Sequence, residues 1–243
     1  EADLDRIVDL NGKVFFNGYI PADYKAIIQK IESEGGEPIN SFDESDKLMQ
    51  FSRWYPLIES LTAKSVVVEG IDDQQGITNA LQLQMPLFIK GEIKSNKEKG
   101  IEACLARNEE ELRHALLEAE KLPITWKGNV IARELLPLRQ LGETNGFPLS
   151  REYRVFMYKK QILGKGFYWE QRDPFGRLEE NENRDLEDLC YETQSRLNTS
   201  LTAVDVGQLE DGTWRVVEVG DPQFCTFTHM SSTSFFQKLK DLI

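Results

Sequence analysis

An Asp-Gly pair between two apolar, alternating segments most constrains what this 243-residue chain can fold into. Asp211-Gly212 separates residues 201–206 from residues 214–219, and both flanking segments contain several valines. Asp-Gly in this setting is typical of the tight turn of a β-hairpin, because both residue types tolerate positive φ angles. The chain is therefore expected to contain antiparallel sheet near its C-terminal end.

Two acidic residues face each other across this hairpin if the turn contains two residues. Pairing of Glu210 with Thr213 places Asp205 directly opposite Glu218, on one face of the sheet, with Cβ atoms about 5 Å apart. A three-residue turn with the glycine in a bulge shifts the register by one residue and places Asp205 opposite Val217 instead. The prediction of a facing acidic pair therefore depends on the turn type.

Facing carboxylates repel each other and need a neutralising partner when their surroundings are apolar. A divalent cation with oxygen ligands is the commoner solution, and Asp221 is a candidate third ligand beside Asp205 and Glu218. A proton shared between the two carboxyl groups is a second solution. A solvated acidic face on an already acidic protein is a third interpretation of the same pattern.

The charge and the histidine count argue against several classes of function. The net charge is −12, which argues against binding to a nucleic-acid backbone or an anionic membrane as the main activity. The chain contains two histidines, His114 and His229, and three widely spaced cysteines. Ser-His-Asp or Cys-His catalysis and a zinc site are therefore not expected. Chemistry is expected to use carboxylates, lysines and arginines, with or without a metal.

Nothing in the sequence indicates a membrane or an oxidising compartment. No apolar run approaches the roughly 18 residues that a transmembrane helix needs. Residues 1–5 lack the basic and apolar regions of a secretory signal. The odd number of cysteines fits reduced thiols. A cytoplasmic protein without a membrane partner is expected.

Short apolar strands alternate with amphipathic helices along the chain, which predicts an α+β fold. The apolar spacing predicts helices around 24–31, 112–119 and 186–197, and strands around 14–16, 66–68, 85–90, 130–136, 151–157, 162–169, 201–206 and 214–219. A polar stretch at 72–76 and Pro137 mark the expected boundaries, which divide the chain into residues 1–76, 77–136 and 137–243.

Several basic residues are candidates for binding an anionic ligand near such a metal. Lys90 ends an apolar strand, and the basic, glycine-terminated loop 94–100 that follows is typical of a mobile phosphate lid. Arg154 alternates with apolar residues on a strand, and its guanidinium suits phosphate oxygens. Lys165 stands between two glycines, where the backbone can approach a ligand, and Arg172 is a weaker candidate. Each is also compatible with an ordinary surface charge.

The order of these motifs resembles the ATP-grasp superfamily, whose members clamp ATP between two α+β lobes. The matching pieces are residues 86–90, the strand 130–135, the strand 152–156 and the pair Asp205 and Glu218. Residues 53–56 and 152–172 look like a bacterial and phage branch that is also similar to the eukaryotic cell-division-cycle protein that helps to assemble a translation initiation factor.

The resemblance implies two α+β lobes enclosing a nucleotide cleft, preceded by a small α/β N-terminal region, and it implies roles for individual residues. Lys90 and Lys94 would bind the α- and β-phosphates of ATP, and Arg154 would face the γ-phosphate or the acyl substrate. The remaining implied assignments are adenine recognition by the backbone of Arg133, Glu134 and Leu135, Mg²⁺ binding by Asp205 and Glu218, and catalytic roles for Arg154, Lys165 and Arg172.

The chain departs from the family pattern at the end of the metal strand. Many members have an acidic residue, any residue and then Asn, whereas this chain has Glu218-Val219-Gly220-Asp221. Asp221 is therefore expected to replace the usual third ligand from a shifted position. Loss of the metal, and with it loss of catalysis, is the alternative.

The function implied by the resemblance is an ATP- and Mg²⁺-dependent ligase. Such an enzyme activates a small-molecule or peptide carboxylate as an acyl phosphate, which an amine or another nucleophile then attacks. The alternative is an ATP-binding assembly factor that grips a protein partner without ligase turnover. A third interpretation, chemistry on nucleic-acid ends, requires the basic residues Lys97, Lys99, Lys159, Lys160 and Arg172 to share one groove.

Overall fold

The computed structural model describes residues 7–10, 12–16, 18, 24–95, 100–121, 129–144, 147–171, 173–174 and 177–243. Its helices are α1 (Tyr24–Ser33), α2 (Phe42–Met49), α3 (Phe51–Ile58), α4 (Gln74–Ala80), α5 (Glu109–Glu120), α6 (Glu180–Leu197) and α7 (Ser232–Leu242). Its strands are β1 (Ile7–Leu10), β2 (Lys13–Phe16), β3 (Glu37–Pro38), β4 (Ser65–Val68), β5 (Leu87–Gly91), β6 (Leu105–Ala106), β7 (Val130–Glu134), β8 (Gln140–Thr144), β9 (Phe147–Ser150), β10 (Glu152–Tyr158), β11 (Gln161–Phe167), β12 (Leu201–Gln208) and β13 (Trp214–Gly220). The predicted α+β class is confirmed. None of the helices in these ranges is long and apolar enough to span a lipid bilayer.

The N-terminal region has a small sheet of its own, β1-β2-β3, but it packs α3 against the C-terminal part of the chain. The predicted helix over 24–31 is confirmed as part of α1, whose apolar stripe is buried because its members recur every three or four residues. On α3, Phe51, Trp54 and Ile58 are buried in the same core as Leu186 and Val204 of the C-terminal sheet and helix. The N-terminal helices therefore help to build the wall of the large lobe.

The small lobe is the four-stranded sheet β4-β7-β5-β6 with α4 and α5 packed on it. Asn108 caps α5 as predicted, because its side chain accepts a 2.9 Å hydrogen bond from the Glu111 backbone N–H. The expected boundary at residue 76 needs correction. Strand β4 pairs with β7, with Val66 opposite Ala132, so the small lobe already begins before the polar stretch at 72–76. That stretch is instead a turn within the lobe.

The large lobe is the antiparallel sheet β11-β10-β12-β13. Side chains alternate across it, so Val155 and Val204 join the core beneath α6, while Phe156 and Ala203 join the core beneath α7. Helix α7 covers only part of the second face. The remainder of that face looks toward the small lobe and forms one wall of the cleft between the lobes.

A buried ion pair anchors the start of α6 to the large sheet. Arg151 is 2% exposed and bonds Glu182 on α6. Burial by itself raises the pKa of Glu182, but hydrogen bonds from Arg151, from the Glu179 backbone and from Gln208 lower it to about 2, below the ordinary 4.5. The stability that this carboxylate contributes is therefore complete above pH 4.5 and is lost as the pH falls toward 2.

We expect Glu182→Gln to lower the free energy of unfolding at pH 7 by about 2 kcal/mol, because it leaves a buried guanidinium without this carboxylate. The difference from wild type should shrink as the pH is lowered toward 2. Urea unfolding at several pH values measures both effects. Glu180→Gln on the same helix is the matched control, since Glu180 is exposed. Equal stability of the two variants at pH 7 would contradict the assignment.

Candidate functional site

The turn of the C-terminal hairpin is longer than the two-residue turn that places the two acids opposite each other directly. Gly212 has a φ of 89°. Its N–H donates to the Leu209 carbonyl at 3.0 Å, and the Leu209 N–H donates to the Thr213 carbonyl at 2.7 Å. The strands leave this turn in the shifted register that the sequence left open as the alternative.

A β-bulge then restores the facing pair. Next to the turn Val206 pairs with Val216, but farther along Asp205 pairs with Glu218, so Val217 is an extra residue in β13. The predicted pairing of Asp205 with Glu218 is confirmed, although it depends on the bulge as well as on the turn. Both acids consequently face the cleft.

One residue from each strand of the large sheet forms a row on the cleft face: Gly166, Arg154, Asp205 and Glu218. Arg154 and Asp205 form a bidentate ion pair, in which Nε and Nη2 donate to Oδ1 and Oδ2, both at 2.7 Å. Their side chains are 11% and 6% exposed. Burial by itself lowers the pKa of Arg154, and the Asp205 carboxylate more than reverses this, so the guanidinium stays charged.

The far side of Arg154 is held by the chain that follows the hairpin. Its Nη1 donates to the carbonyl and the hydroxyl of Thr226, both at 3.2 Å, and its Cζ lies 5.0 Å from the centre of the Tyr168 ring. Gly166 makes room for this segment, since a Cβ there would lie 3.0 Å from Thr228 Oγ1. The guanidinium is thus fixed on several sides before any ligand arrives.

The small lobe contributes the second cation. Lys90, on β5, is 5% exposed at its side chain, and its Nζ forms an ion pair with Oε1 of Glu218, which is 39% exposed. The same ammonium lies 5.7 Å from the centre of the Phe51 ring. Lys90 is therefore a buried lysine with a partner on the opposite lobe. Along the row the charges alternate in sign, from Arg154 through Asp205 and Glu218 to Lys90.

Two cavities meet at this row. The larger one, about 400 Å³, runs between the lobes and includes Lys90, Glu134, Leu135, Tyr168 and Glu218 in its lining. The smaller one, about 230 Å³, lies on the other side of the row, and its lining includes Met49, Arg154, Asp205, Phe224 and Cys225. Ile93, Lys94 and Glu218 line both cavities. The acidic pair stands where the two cavities join.

The segment expected to recognise adenine lines the larger cavity. The Glu134 backbone N–H donates to the Lys64 carbonyl at 2.9 Å, and its side chain accepts a 3.0 Å hydrogen bond from the Gln84 N–H. Leu135 is 44% exposed and, with Leu136, forms part of the cavity wall. The structure thus brings Glu134 and Leu135 into the same cavity as Lys90.

Arg133 is in the cavity wall but points elsewhere. Its guanidinium donates to the Val217 carbonyl at 2.6 Å and to Thr62 Oγ1 at 2.5 Å. Burial lowers the pKa of Arg133 to about 10, and the charge of Glu218 opposes that shift. Its side chain is therefore committed to the large lobe, across the cleft from its own strand.

Asp221 is not gathered with the other two acids. The side chain is fully buried, caps a short turn by accepting the Gln223 N–H at 3.0 Å, and accepts the Ser45 hydroxyl at 2.6 Å. Burial raises the pKa of Asp221, although these hydrogen bonds oppose the rise. Across the described ranges no three His, Cys, Asp or Glu side chains are grouped so as to hold a metal. The expected third ligand position is thus not formed by Asp221.

Lys165 needs correction as a candidate catalytic residue. It pairs with Val155 on the face of the sheet that α6 covers, and its Nζ contacts Asn183 and, at 2.7 Å, Glu187 Oε1. Arg154 and Gly166 lie on the opposite face, because adjacent residues of a strand alternate. The flanking glycines that suggested a ligand reflect the close packing of residues 228–230 instead.

Arg172, Lys97 and Lys99 lie outside the residues that the structure describes. The groove that the nucleic-acid interpretation requires therefore has only Lys159 and Lys160 within the described ranges. Lys160 lines a shallow surface depression beside Lys165 and Tyr191, on the α6 side of the sheet. It is remote from the row of charges in the cleft.

Three residues of the site were missed from the sequence. Glu152 lines the larger cavity, and its spacing of two residues from Arg154 on the same strand was the available signal. Tyr168, beneath the Arg154 guanidinium, is largely buried, and burial raises its pKa above the ordinary value. Thr226 had no signal in the sequence, since it reaches the site through an irregular segment.

The donor set on this face fits Mg²⁺. Asp205 and Glu218 present carboxylates from adjacent strands, and Mg²⁺ is commonly held by one or two carboxylates together with phosphate oxygens and water. Each carboxylate is already paired with a cation, Arg154 or Lys90. A third protein carboxylate is not required by this coordination chemistry.

Comparison with known structures identifies the architecture. Residues 74–239 match a family model described as an ATP-grasp domain, the third family of its clade. No curated protein matches the chain at the level of sequence. Among similar structures, the VanG D-Ala:D-Ser ligase of Enterococcus faecalis has 17% identity and a TM-score of 0.62, covering 88% of this chain and 64% of its own.

Two further structures share the fold. The D-alanine–D-alanine ligase of Bacillus anthracis, complexed with ATP, has 15% identity and a TM-score of 0.62, covering 89% of this chain and 72% of its own. The N5-carboxyaminoimidazole synthase of Aspergillus clavatus has 11% identity and a TM-score of 0.62, covering 91% and 57%. The chain thus spans 57% to 72% of the length of these three structures. ATP-grasp ligases use ATP and Mg²⁺, and the family match covers both lobes and the row of charges between them: the chain belongs to the ATP-grasp superfamily.

Proposed function

We propose that the protein is an ATP- and Mg²⁺-dependent ligase that activates a carboxylate as an acyl phosphate and transfers the acyl group to an amine. The observation that carries the proposal is the row of Arg154, Asp205, Glu218 and Lys90 at the junction of two cavities. Two substrates on either side of this row would meet at its charges. Family membership and the fold shared with ligases support the reaction class.

In this proposal the larger cavity takes the nucleotide. The backbone after Glu134 would receive the adenine, and Lys90 and Lys94 would contact the phosphates as they pass from one cavity toward the other. Lys90 suits that role because its stem is buried while its ammonium stands at the cavity wall. Binding of an anionic phosphate would compete with Glu218 for this ammonium.

The smaller cavity takes the carboxylate and the amine. Its lining combines apolar side chains such as Met49 and Phe224 with Arg154, which lies opposite the nucleotide cavity across the acidic pair. About 230 Å³ is at the low end for ligand sites, which favours a small carboxylate or the end of a peptide. This cavity is where we place substrate specificity.

The reaction has two steps, each governed mainly by charge and position. A carboxylate oxygen attacks the γ-phosphorus of ATP, so that an acyl phosphate forms and ADP leaves. The amine nitrogen then attacks the acyl carbon, the C–O bond to phosphate breaks, and the amine proton passes to phosphate or water. Arg154 and Lys90 lower the cost of bringing anions together, which is the main requirement of phosphoryl transfer.

Asp205 and Glu218 would hold Mg²⁺ on the cleft face. Bound there, Mg²⁺ would supply neutralisation of phosphate charge. The two acids also keep Arg154 and Lys90 oriented through their ion pairs. No histidine base is needed in this scheme, since the attacking carboxylate is already ionised at neutral pH.

The test is ADP release from Mg²⁺-ATP with pools of amino acids, peptides and cell-extract proteins. We expect release that needs both a carboxylate and an amine, and ¹⁸O in the carboxylate should appear in the released phosphate. Hydroxylamine should trap the acyl phosphate as a hydroxamate. ADP release without transfer of ¹⁸O would overturn the acyl-phosphate step.

Tight ATP binding with no ADP release in any pool would favour the assembly-factor alternative. Such a factor should expose an apolar patch to grip its partner. In the described residues the exposed large apolar side chains are Leu57, Leu117, Leu135 and Tyr191. They lie on or beside four different elements, which gives that alternative little support.

A further inference from the structure

The bulge at Val217 determines which face of the sheet Glu218 occupies. In the register that leaves the turn, Glu218 has the same parity as Trp214 and Val216, which are buried in the core beneath α6. Inserting one extra residue into β13 reverses that parity. Val217 then lines the nucleotide cavity, and Glu218 stands opposite Asp205. Without the bulge the second acid of the pair would point into the core.

The bulge lies on the outer side of an edge strand and is held there by the small lobe. Strand β13 is the last strand of its sheet, so its outward carbonyls lack a neighbouring strand. Arg133 donates to the Val217 carbonyl at 2.6 Å and more weakly to the Val216 carbonyl at 3.4 Å. The Thr62 hydroxyl donates to the Val216 carbonyl at 2.7 Å and accepts from Arg133.

The residue type suits this task. Arg133 is 7% exposed, and its guanidinium lies 5.8 Å from the centre of the Phe51 ring. A planar fork donates to several acceptors at fixed angles, whereas a lysine ammonium on a flexible stem cannot reproduce that pattern. The guanidinium therefore ties β7, the segment before β4 and the bulge of β13 into one unit.

We propose that Arg133 is a positioning residue that holds the β13 bulge and thereby sets Glu218 against Asp205 and Lys90, instead of reading the nucleotide through its side chain. The role of the acidic pair as a Mg²⁺ site rests on the proposed function, but the bulge itself does not. Arg133 would thus act on metal-supported nucleotide binding from the back of the strand that carries the ligand.

The experiment compares Arg133→Met and Arg133→Lys with Arg215→Met. Arg215 is the matched control, because it also joins β13 to the preceding segment, through a 2.7 Å hydrogen bond to the Ser60 carbonyl, without touching the bulge. Amide hydrogen exchange of residues 216–219 is measured in protein free of metal and nucleotide. ATP affinity is then measured by calorimetry with Mg²⁺ and with EDTA.

We expect Arg133→Met to speed exchange at residues 216–219 and to weaken Mg²⁺-supported ATP binding, each by about tenfold or more, as loss of a charged hydrogen bond predicts. Arg133→Lys should fall between Arg133→Met and wild type, and Arg215→Met should leave Mg²⁺-supported ATP binding unchanged. If Arg133→Met does not fold, Arg133→Lys decides. Wild-type exchange and wild-type Mg²⁺-supported affinity in the folded variant would overturn the proposal. Because the exchange readout needs no turnover, failure of the ligase proposal would leave this test standing.

Discussion

A Lys90→Met variant is expected to bind ATP about 30- to 100-fold more weakly than the wild-type protein in the presence of Mg²⁺. Removing the ammonium deletes one charge-assisted contact with a phosphate, which is worth about 2–3 kcal/mol. Methionine keeps a long apolar stem in the buried path, where the lysine side chain is 5% exposed. Calorimetric titration with Mg²⁺-ATP measures the change.

Lys165→Met is the matched control for this measurement. It removes the same charge from the same lobe that carries the acidic pair, but from the face covered by α6, where Lys165 contacts Glu187 at 2.7 Å. Its ATP affinity should equal that of the wild type. Equal weakening by the two substitutions would indicate a general effect of charge, and unchanged binding by Lys90→Met would remove Lys90 from the nucleotide site.

The second large effect is expected for Asp205→Asn. The variant should lose the gain in ATP affinity that Mg²⁺ brings, because an amide is a poor ligand for Mg²⁺ in place of a carboxylate. It should also lose about 3 kcal/mol of stability, since the buried guanidinium of Arg154 loses its bidentate partner. ATP titration with Mg²⁺ or EDTA, and urea unfolding at pH 7, measure the two effects separately.

Two further variants separate metal binding from stability. Glu218→Gln should also abolish the Mg²⁺ response, but with a smaller loss of stability, because the Glu218 side chain is 39% exposed. Glu210→Gln removes an exposed acid from the same hairpin and should behave as wild type. A wild-type Mg²⁺ response in Asp205→Asn would exclude the acidic pair as the metal site.

These expectations share one electrostatic feature. In the structure each carboxylate of the row is paired with its own cation, so the site is neutralised internally along the series Arg154, Asp205, Glu218 and Lys90. ATP and Mg²⁺ together bring both signs of charge, so they can exchange partners with this row at little net cost in buried charge. Neither ligand alone offers that exchange. ATP and Mg²⁺ should therefore bind cooperatively.

Local sequence patterns predicted most of the elements, because they depend on periodicity and turn chemistry. The apolar spacing of α1 and α6, the cap of α5 and the strands of the large sheet were all readable from neighbouring residues. The lobe boundary was not, because β4 joins the small lobe through its pairing with β7. Such pairing between distant segments leaves no local trace in a single sequence.

The sequence by itself determined that two acids from one hairpin face each other and that Arg154 is available on a nearby strand, since strand alternation is a local property. Tertiary structure decided the rest. The bulge at Val217 depends on Arg133 from the other lobe, and Lys90 reaches Glu218 only when the lobes meet. The face that Lys165 occupies follows from where α6 packs, and the burial of Asp221 depends on contacts with Ser45. Side-chain partners that are distant along the chain are chosen by packing, which no local pattern encodes.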